Sequence, residues 1–307
     1  MKKKVLFSLK SPYREQLDVI GYSFGHGKRS LAIVGAMRGN EVQQMYVCSR
    51  MVKELKKLEG SGRIADDCEI LVIPCVNYYS MNLGKRFWAM DNTDINRMFP
   101  GFELGETTQR IAAGVFKELQ GYEYGIQLAS YYQQGNFLPH VKMMDTGFTD
   151  PELMKDFGLE FGIVRKPRPY DTTTLNYNWQ IWETKAFSVY ANATDEIDEK
   201  AAKEAVNAIL RFMDSRGLVS AVTSPGYRTV ILDESDTEQI RSGAAGLFFS
   251  TTEIGAAVEQ GDVLGRVVDP FECETVSEIR SPAAGTIYFA YHSPLINEKT
   301  VCFKIIK

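Results

Sequence analysis

The sequence predicts an α/β domain with helices on both faces of its sheet, followed by a small β-sandwich. Three observations carry this. Short apolar runs bounded by turn signals alternate with amphipathic stretches up to about residue 220. After Val222 no helical period survives, and Gly, Pro and short β-rich runs take over. That tail also repeats itself, as two similar halves of a sandwich would.

The elements follow in order. Residues 31–37 and 70–75 are short and apolar, so they read as buried parallel strands. Between them Val42, Met45, Cys48, Val52, Leu55 and Leu58 recur at three or four residues, which is a helix face. Gly60-Ser61-Gly62 stops that helix. A second helix carries Ile111, Val115, Phe116 and Leu119 and ends at Gly121. Residues 187–191 read as another central strand. Residues 201–216 read as a helix with Ala205, Ile209, Phe212 and Met213 inward. In the tail, Ala244-Ala245-Gly246-Leu247-Phe248-Phe249 is echoed by Ala283-Ala284-Gly285-Thr286-Ile287-Tyr288. The run from Val258 to Leu264 is echoed more loosely by that from Ile296 to Cys302.

A chain of 307 residues, 44% hydrophobic, can build one large core and one small one, here 1–220 and 222–307. The net charge of -4 has mixed signs and no long basic run, which argues against a nucleic-acid partner. The five cysteines are dispersed with no C-x-x-C pair, as expected in a reducing compartment. Met1-Lys2-Lys3-Lys4 resembles the start of a signal peptide, but Lys10 ends the apolar run too early. No run is long enough to span a membrane, so a cytoplasmic, soluble protein is expected.

Two motifs carry chemistry. Leu31-Ala32-Ile33-Val34 leads into Gly35-Ala36-Met37-Arg38-Gly39-Asn40-Glu41, which opens an amphipathic stretch. Further on, Arg86 precedes Asp94-Ile95-Asn96-Arg97-Met98-Phe99-Pro100-Gly101. The first resembles the G-x-x-H-G-[ND]-E turn, and the second the D-x-N-R-x-F-P-G signature, of the succinylglutamate desuccinylase/aspartoacylase family of zinc carboxypeptidase-like deacylases. With the β-rich tail, the resemblance spans nearly the whole chain. It implies a carboxypeptidase-like mixed sheet with helices on both faces, plus a C-terminal β barrel-sandwich domain of the lipoyl/biotinyl type. In true carriers a lysine sits in the hairpin between the halves. Residues 272–278 have none, so a structural or lid role is expected of this domain.

In that family a His and a Glu three residues apart, with a later His, hold one zinc whose open position binds water. The metal lowers that water's pKa and polarises the amide carbonyl. A glutamate serves as general base and acid, and an Asn-Arg pair with an earlier Arg clamps the substrate carboxylate. Here Glu41 stands at the Glu ligand and Arg38 at the first His. In the run Ile126-Gln127-Leu128-Ala129, Ala129 stands at the later His. Ser188-Val189-Tyr190 best matches the strand end that carries the base, which puts Tyr190 there. Arg86, Asn96 and Arg97 are all present.

An arginine has no lone pair to give and an alanine no donor atom. Zinc is therefore expected from the family, but its ligands are missing, and no cofactor is expected. Arg38 supplies a fixed positive charge where the metal would sit, paired with Glu41. The expected site is a carboxylate pocket of Arg38, Arg86, Asn96 and Arg97, with Glu41 and Tyr190 as the candidate proton-transfer groups. Of the three histidines, His26, His140 and His292, only His140 is placed to face such a pocket, and a structural role is the favoured reading. The stretch 164–170 is a basic, proline-stiffened loop that either adds anion contacts or is simply solvated. Tyr131, Tyr132, Tyr177, Trp179 and Trp182 give aromatic density that core packing largely explains.

The expected function is that of a family member without zinc or hydrolysis. It would bind an N-acyl amino acid-like carboxylate, or act as partner subunit of an active paralogue or of a second copy. The alternative is an active amide hydrolase with another metal arrangement or metal-free chemistry.

Overall fold

The computed structural model describes residues 1–11 and 15–307. They form two compact units. The first comprises Met1–Ser130, Pro139–Ala191 and Asp195–Ile231, the second Tyr131–Leu138, Asn192–Thr194 and Leu232–Lys307.

The first unit opens with β1 (Lys2–Leu9), β2 (Leu17–His26), β3 (Arg29–Ala36), α1 (Val42–Gly60), β4 (Cys68–Cys75) and α2 (Tyr78–Asn82). Then come α3 (Thr107–Leu119) and β5 (Tyr124–Ala129), and after β6 (Gly135–Phe137) the chain runs through β7 (His140–Met144) and β8 (Phe161–Arg165). It closes with α4 (Leu175–Ile181), β9 (Lys185–Tyr190), α5 (Glu199–Ser215) and β10 (Val230–Asp233). Nine strands make one sheet in the order β1-β2-β4-β3-β5-β9-β7-β8-β10. The central strands β4, β3, β5 and β9 run parallel, while β1–β2, β2–β4 and β7–β9 pair antiparallel. The sheet is therefore mixed, as the resemblance implies.

Alternation along β3 sends Ile33 to one face and Ala32 and Val34 to the other. Ile33 packs with Val47, Met51 and Leu55 of α1 and Ile209 and Phe212 of α5. Ala32 and Val34 pack with Ile111 and Val115 of α3 and Leu175 and Trp179 of α4. Helices thus cover both faces. Several strand boundaries differ from those read in the sequence, as β3, β4 and β9 each begin two residues earlier. β3 stops at Ala36 rather than Met37, because the Met37 N–H leaves the ladder to bind the Glu41 carboxylate at 2.7 Å. β9 begins at Lys185, two residues before the apolar run, and Lys185 pairs with Tyr124.

The second unit holds β11 (Thr237–Arg241), β12 (Gly246–Ser250), β13 (Ala257–Val258), β14 (Val263–Val268), β15 (Thr275–Arg280), β16 (Gly285–Tyr291), β17 (Leu295–Ile296) and β18 (Val301–Ile306). One sheet runs β11-β18-β16-β13, the other β15-β14-β12-β17. Moving every strand four places along the chain turns the first order into the second. The internal repeat is thus a structural one, and each half contributes strands to both sheets. Phe248, Leu264, Ile287 and Phe303 share the core between them. β6, a strand not read from the sequence, adds to this unit by pairing Phe137 with Phe289. Lys304 is buried there, its ammonium 3.9 Å from the centre of the Tyr131 ring, a cation–π contact. Among the described residues no helix is long and apolar enough to cross a membrane.

Candidate functional site

The parallel strands β3, β4, β5 and β9 end together, at Ala36, Cys75, Ala129 and Tyr190. The C-terminal ends of such strands are where open α/β sheets place ligands. The turn of residues 35–41 leaves β3 at that edge. Gly35 and Gly39 are needed there, because a Cβ on Gly35 would strike the Pro74 carbonyl and one on Gly39 the Lys85 carbonyl. This close approach lets the Gly39 N–H donate to the Arg86 carbonyl at 2.8 Å, which draws Arg86 alongside the turn.

Arg38 is the centre of the site and only 8% exposed. Its Nε and Nη2 donate to Asp94 Oδ2 at 3.0 and 2.8 Å, and its Nη1 donates to Glu41 Oε1 at 2.9 Å. Burial alone would lower the Arg38 pKa. The charges of Glu41 and Asp94 outweigh it and hold the guanidinium above its ordinary value. Asp94 Oδ1 accepts the Asn96 N–H at 3.0 Å, capping the 3-10 turn Ile95–Arg97. One carboxylate thus fixes both the Asp-x-Asn-Arg turn and the guanidinium.

Glu41 is fully engaged. Its Oε2 accepts the backbone N–H groups of Met37 and Arg38 at 2.7 and 3.0 Å. Its Oε1 accepts Arg38 Nη1 at 2.9 Å and the Ser130 hydroxyl. A carboxylate offers about four lone-pair positions, and all are taken. Ala129 adds only a methyl, and its carbonyl accepts Gln44 Nε2 at 3.1 Å. At the three positions that the resemblance assigns to the ligands, Arg38 offers a cation, Ala129 a methyl and Glu41 a saturated carboxylate, a donor set that does not suit zinc. Among the described residues no group of three or more His, Cys, Asp or Glu is placed to hold a metal ion.

Beside this centre, Ala129 of β5, Tyr190 of β9 and His140 of β7 stand in one row across the sheet. The His140 ring lies flat on Tyr190, with centroids 4.6 Å apart and planes 2° apart, and Phe161 stacks beyond it at 5.5 Å. Burial raises the Tyr190 pKa, with Arg165 and Arg38 pulling the other way. Arg86 is pushed below its ordinary value by burial and then by the like charge of Arg38, against Glu41, Asp94 and Asp195.

The remaining expected residues divide. Asn96 is buried and spends its side-chain oxygen on the Leu175 N–H, at 3.3 Å. Arg97 donates to the Tyr170 carbonyl at 2.7 Å and lies over that ring. The basic loop is tied down as well, because Arg165 forks onto Asp171 at 2.5 and 2.7 Å. Asp94, Ser130 and Asp171 were missed as site residues. Only Asp94 had a signal, as the first letter of the second motif.

A mixed α/β sheet with this glycine-pinned turn at its ligand edge, followed by a two-sheet β unit, defines a deacylase-type fold. The chain belongs to the succinylglutamate desuccinylase/aspartoacylase family, whose catalytic domain matches residues 27–216. It is 23% identical over 258 residues to the N-alpha-acetyl-L-2,4-diaminobutyric acid deacetylase of Halomonas elongata, covering 80% of this chain and 72% of that protein. The fold matches that of a succinylglutamate desuccinylase from Silicibacter sp., with a TM-score of 0.82 at 16% identity over 98% of this chain and 92% of that one. It also matches the product-bound ectoine utilization protein EutE of Ruegeria pomeroyi, with a TM-score of 0.79 at 18% identity over 94% and 89%.

Proposed function

We propose that this chain binds a small carboxylate at the Arg38–Arg86 centre and neither holds zinc nor hydrolyses its ligand there. One observation carries the reading. The Arg38 guanidinium sits against Glu41, and Glu41 has no lone pair left for a metal. An anion would favour the charge of Arg86, which burial and Arg38 disfavour against Glu41, Asp94 and Asp195. Among the described residues two of the five Arg38 N–H groups remain for a ligand. The family's relatives act on N-acyl amino acids by name, so an N-acyl amino acid is the natural ligand class. Calorimetric titration with a panel of N-acetyl amino acids tests this. Binding without turnover, lost in Arg86→Gln, is expected. Stoichiometric zinc held at Glu41 after purification overturns it. The same reading allows a paralogue with the full ligand set, or a second copy, as protein partner, and co-purification from the native source checks that.

The second reading is an active amide hydrolase, favoured by the name of the Halomonas relative. Glu41 and Tyr190 are then the proton-transfer groups. Turnover of N-acetyl amino acids by the pure protein, abolished in Glu41→Ala, separates this reading from the first.

A further inference from the structure

The second unit has a cavity of about 350 Å³. All its lining residues belong to that unit. Its walls come from Asn136 of β6, Phe248 and Ser250 of β12, Tyr291 of β16, and the adjoining Glu253 and His292. Few pockets that bind small molecules are smaller than about 300 Å³, so this one admits only a short ligand.

The polar groups of the cavity are unevenly committed. The Ser250 hydroxyl donates to the Thr252 carbonyl at 2.6 Å, and the Tyr291 hydroxyl to the Leu295 carbonyl at 2.7 Å. Both protons are therefore spent. The Asn136 side-chain oxygen is buried and has no partner among the described residues. A buried acceptor in that state costs stability unless something donates to it. The Glu253 carboxylate stands exposed at the mouth. No lysine or arginine lines the cavity. Phe248 and Tyr291 meet edge to face at 5.7 Å, giving an aromatic wall. One buried acceptor without a partner, one carboxylate and aromatic faces together favour a cation with N–H donors over an anion.

We propose that this cavity binds a small organic ammonium ion, with an N–H directed at the Asn136 oxygen, its charge near Glu253 and its hydrocarbon against Phe248 and Tyr291. The sequence makes sense of this. Asn136 lies on the short strand that the chain sends out of the first unit to pair with β16, and its partner there is Ala290, also on the cavity wall.

The test is titration of the full-length protein with n-butylammonium chloride, read by amide chemical shifts at Asn136 and His292. Sodium butyrate and n-butanol are the controls. Saturable shifts with n-butylammonium alone are expected. Glu253→Gln, an exposed change that leaves the fold intact, weakens binding about two- to fivefold, as for other exposed ion pairs. Asn136→Asp places a carboxylate at the same point and tightens it. No saturable shift, an equal response to butyrate or butanol, or unchanged affinity in both variants overturns the proposal.

Discussion

Arg38 donates to Glu41 across 2.9 Å from a position three residues earlier on the same turn, with the two side chains only 9% and 2% exposed. Asp94 closes the other edge of the guanidinium at 2.8 Å. A cation and two carboxylates with this little water are held by one another, so removing the cation leaves two charges without compensation. Arg38→Met is expected to cost about 3–5 kcal/mol, the usual penalty for breaking a buried pair. Arg38→Lys recovers only part, because one ammonium cannot fork onto both carboxylates. Urea denaturation checks both, and a loss under about 1 kcal/mol in Arg38→Met is too small for a buried pair.

If Arg38 and Ala129 stand where the family's two histidines do, restoring both rebuilds a three-ligand set with Glu41. The double variant Arg38→His with Ala129→His is expected to retain one zinc per chain after dialysis, measured by metal analysis. Arg38→His alone supplies only two ligands and retains none. Zinc in the single variant, or none in the double, shows that Ala129 is not the matching position.

The central fold was legible because burial imposes a period on sequence. Ala32, Ile33 and Val34 could only be a strand buried on both faces, and the Ile209–Phe212–Met213 stripe could only be a helix packed on one. The turn of residues 35–41 was legible because its glycines answer a local steric need. What the sequence hid were groups joined only by the fold. Ser130 lies 89 residues from Glu41, and Asp94 lies 56 from Arg38. Gly135-Asn136-Phe137 is too short to show a strand period, and its partner strand lies at the far end of the chain. The Tyr170 carbonyl, which takes one of the Arg97 N–H groups, lies 73 residues further on.

Asp171 offers a pH test of the loop that Arg165 anchors. Burial would raise its pKa, but the Arg165 bonds and the Arg168 N–H win, so its carboxyl sits below the ordinary carboxylate range. A folded pKa below the unfolded one gives stability that is present above about pH 4 and is lost as pH falls through the folded value. Asp171→Asn is therefore expected to flatten the fall in melting temperature below about pH 4 and to cost about 1–3 kcal/mol at neutral pH, as the charged acceptor is removed. An unchanged acid slope would show that the fork onto Arg165 does not favour the folded state.

Tyr190 gives the opposite sign. Its folded pKa is raised, chiefly by burial, above the value of about 10 expected in the unfolded chain. The stability linked to it is complete below that unfolded value and is lost as pH rises toward the folded one. At neutral pH its phenol keeps its proton, so Tyr190 cannot act as a base there. That limits its part in the hydrolase reading to that of an acid. Subtracting the alkaline ultraviolet titration of Tyr190→Phe from that of the parent isolates one phenol. Its phenolate absorbance is expected only above about pH 10. Ionisation at or below that pH would mean that the cations Arg38 and Arg165 outweigh burial, and Tyr190 would regain its claim to be a base.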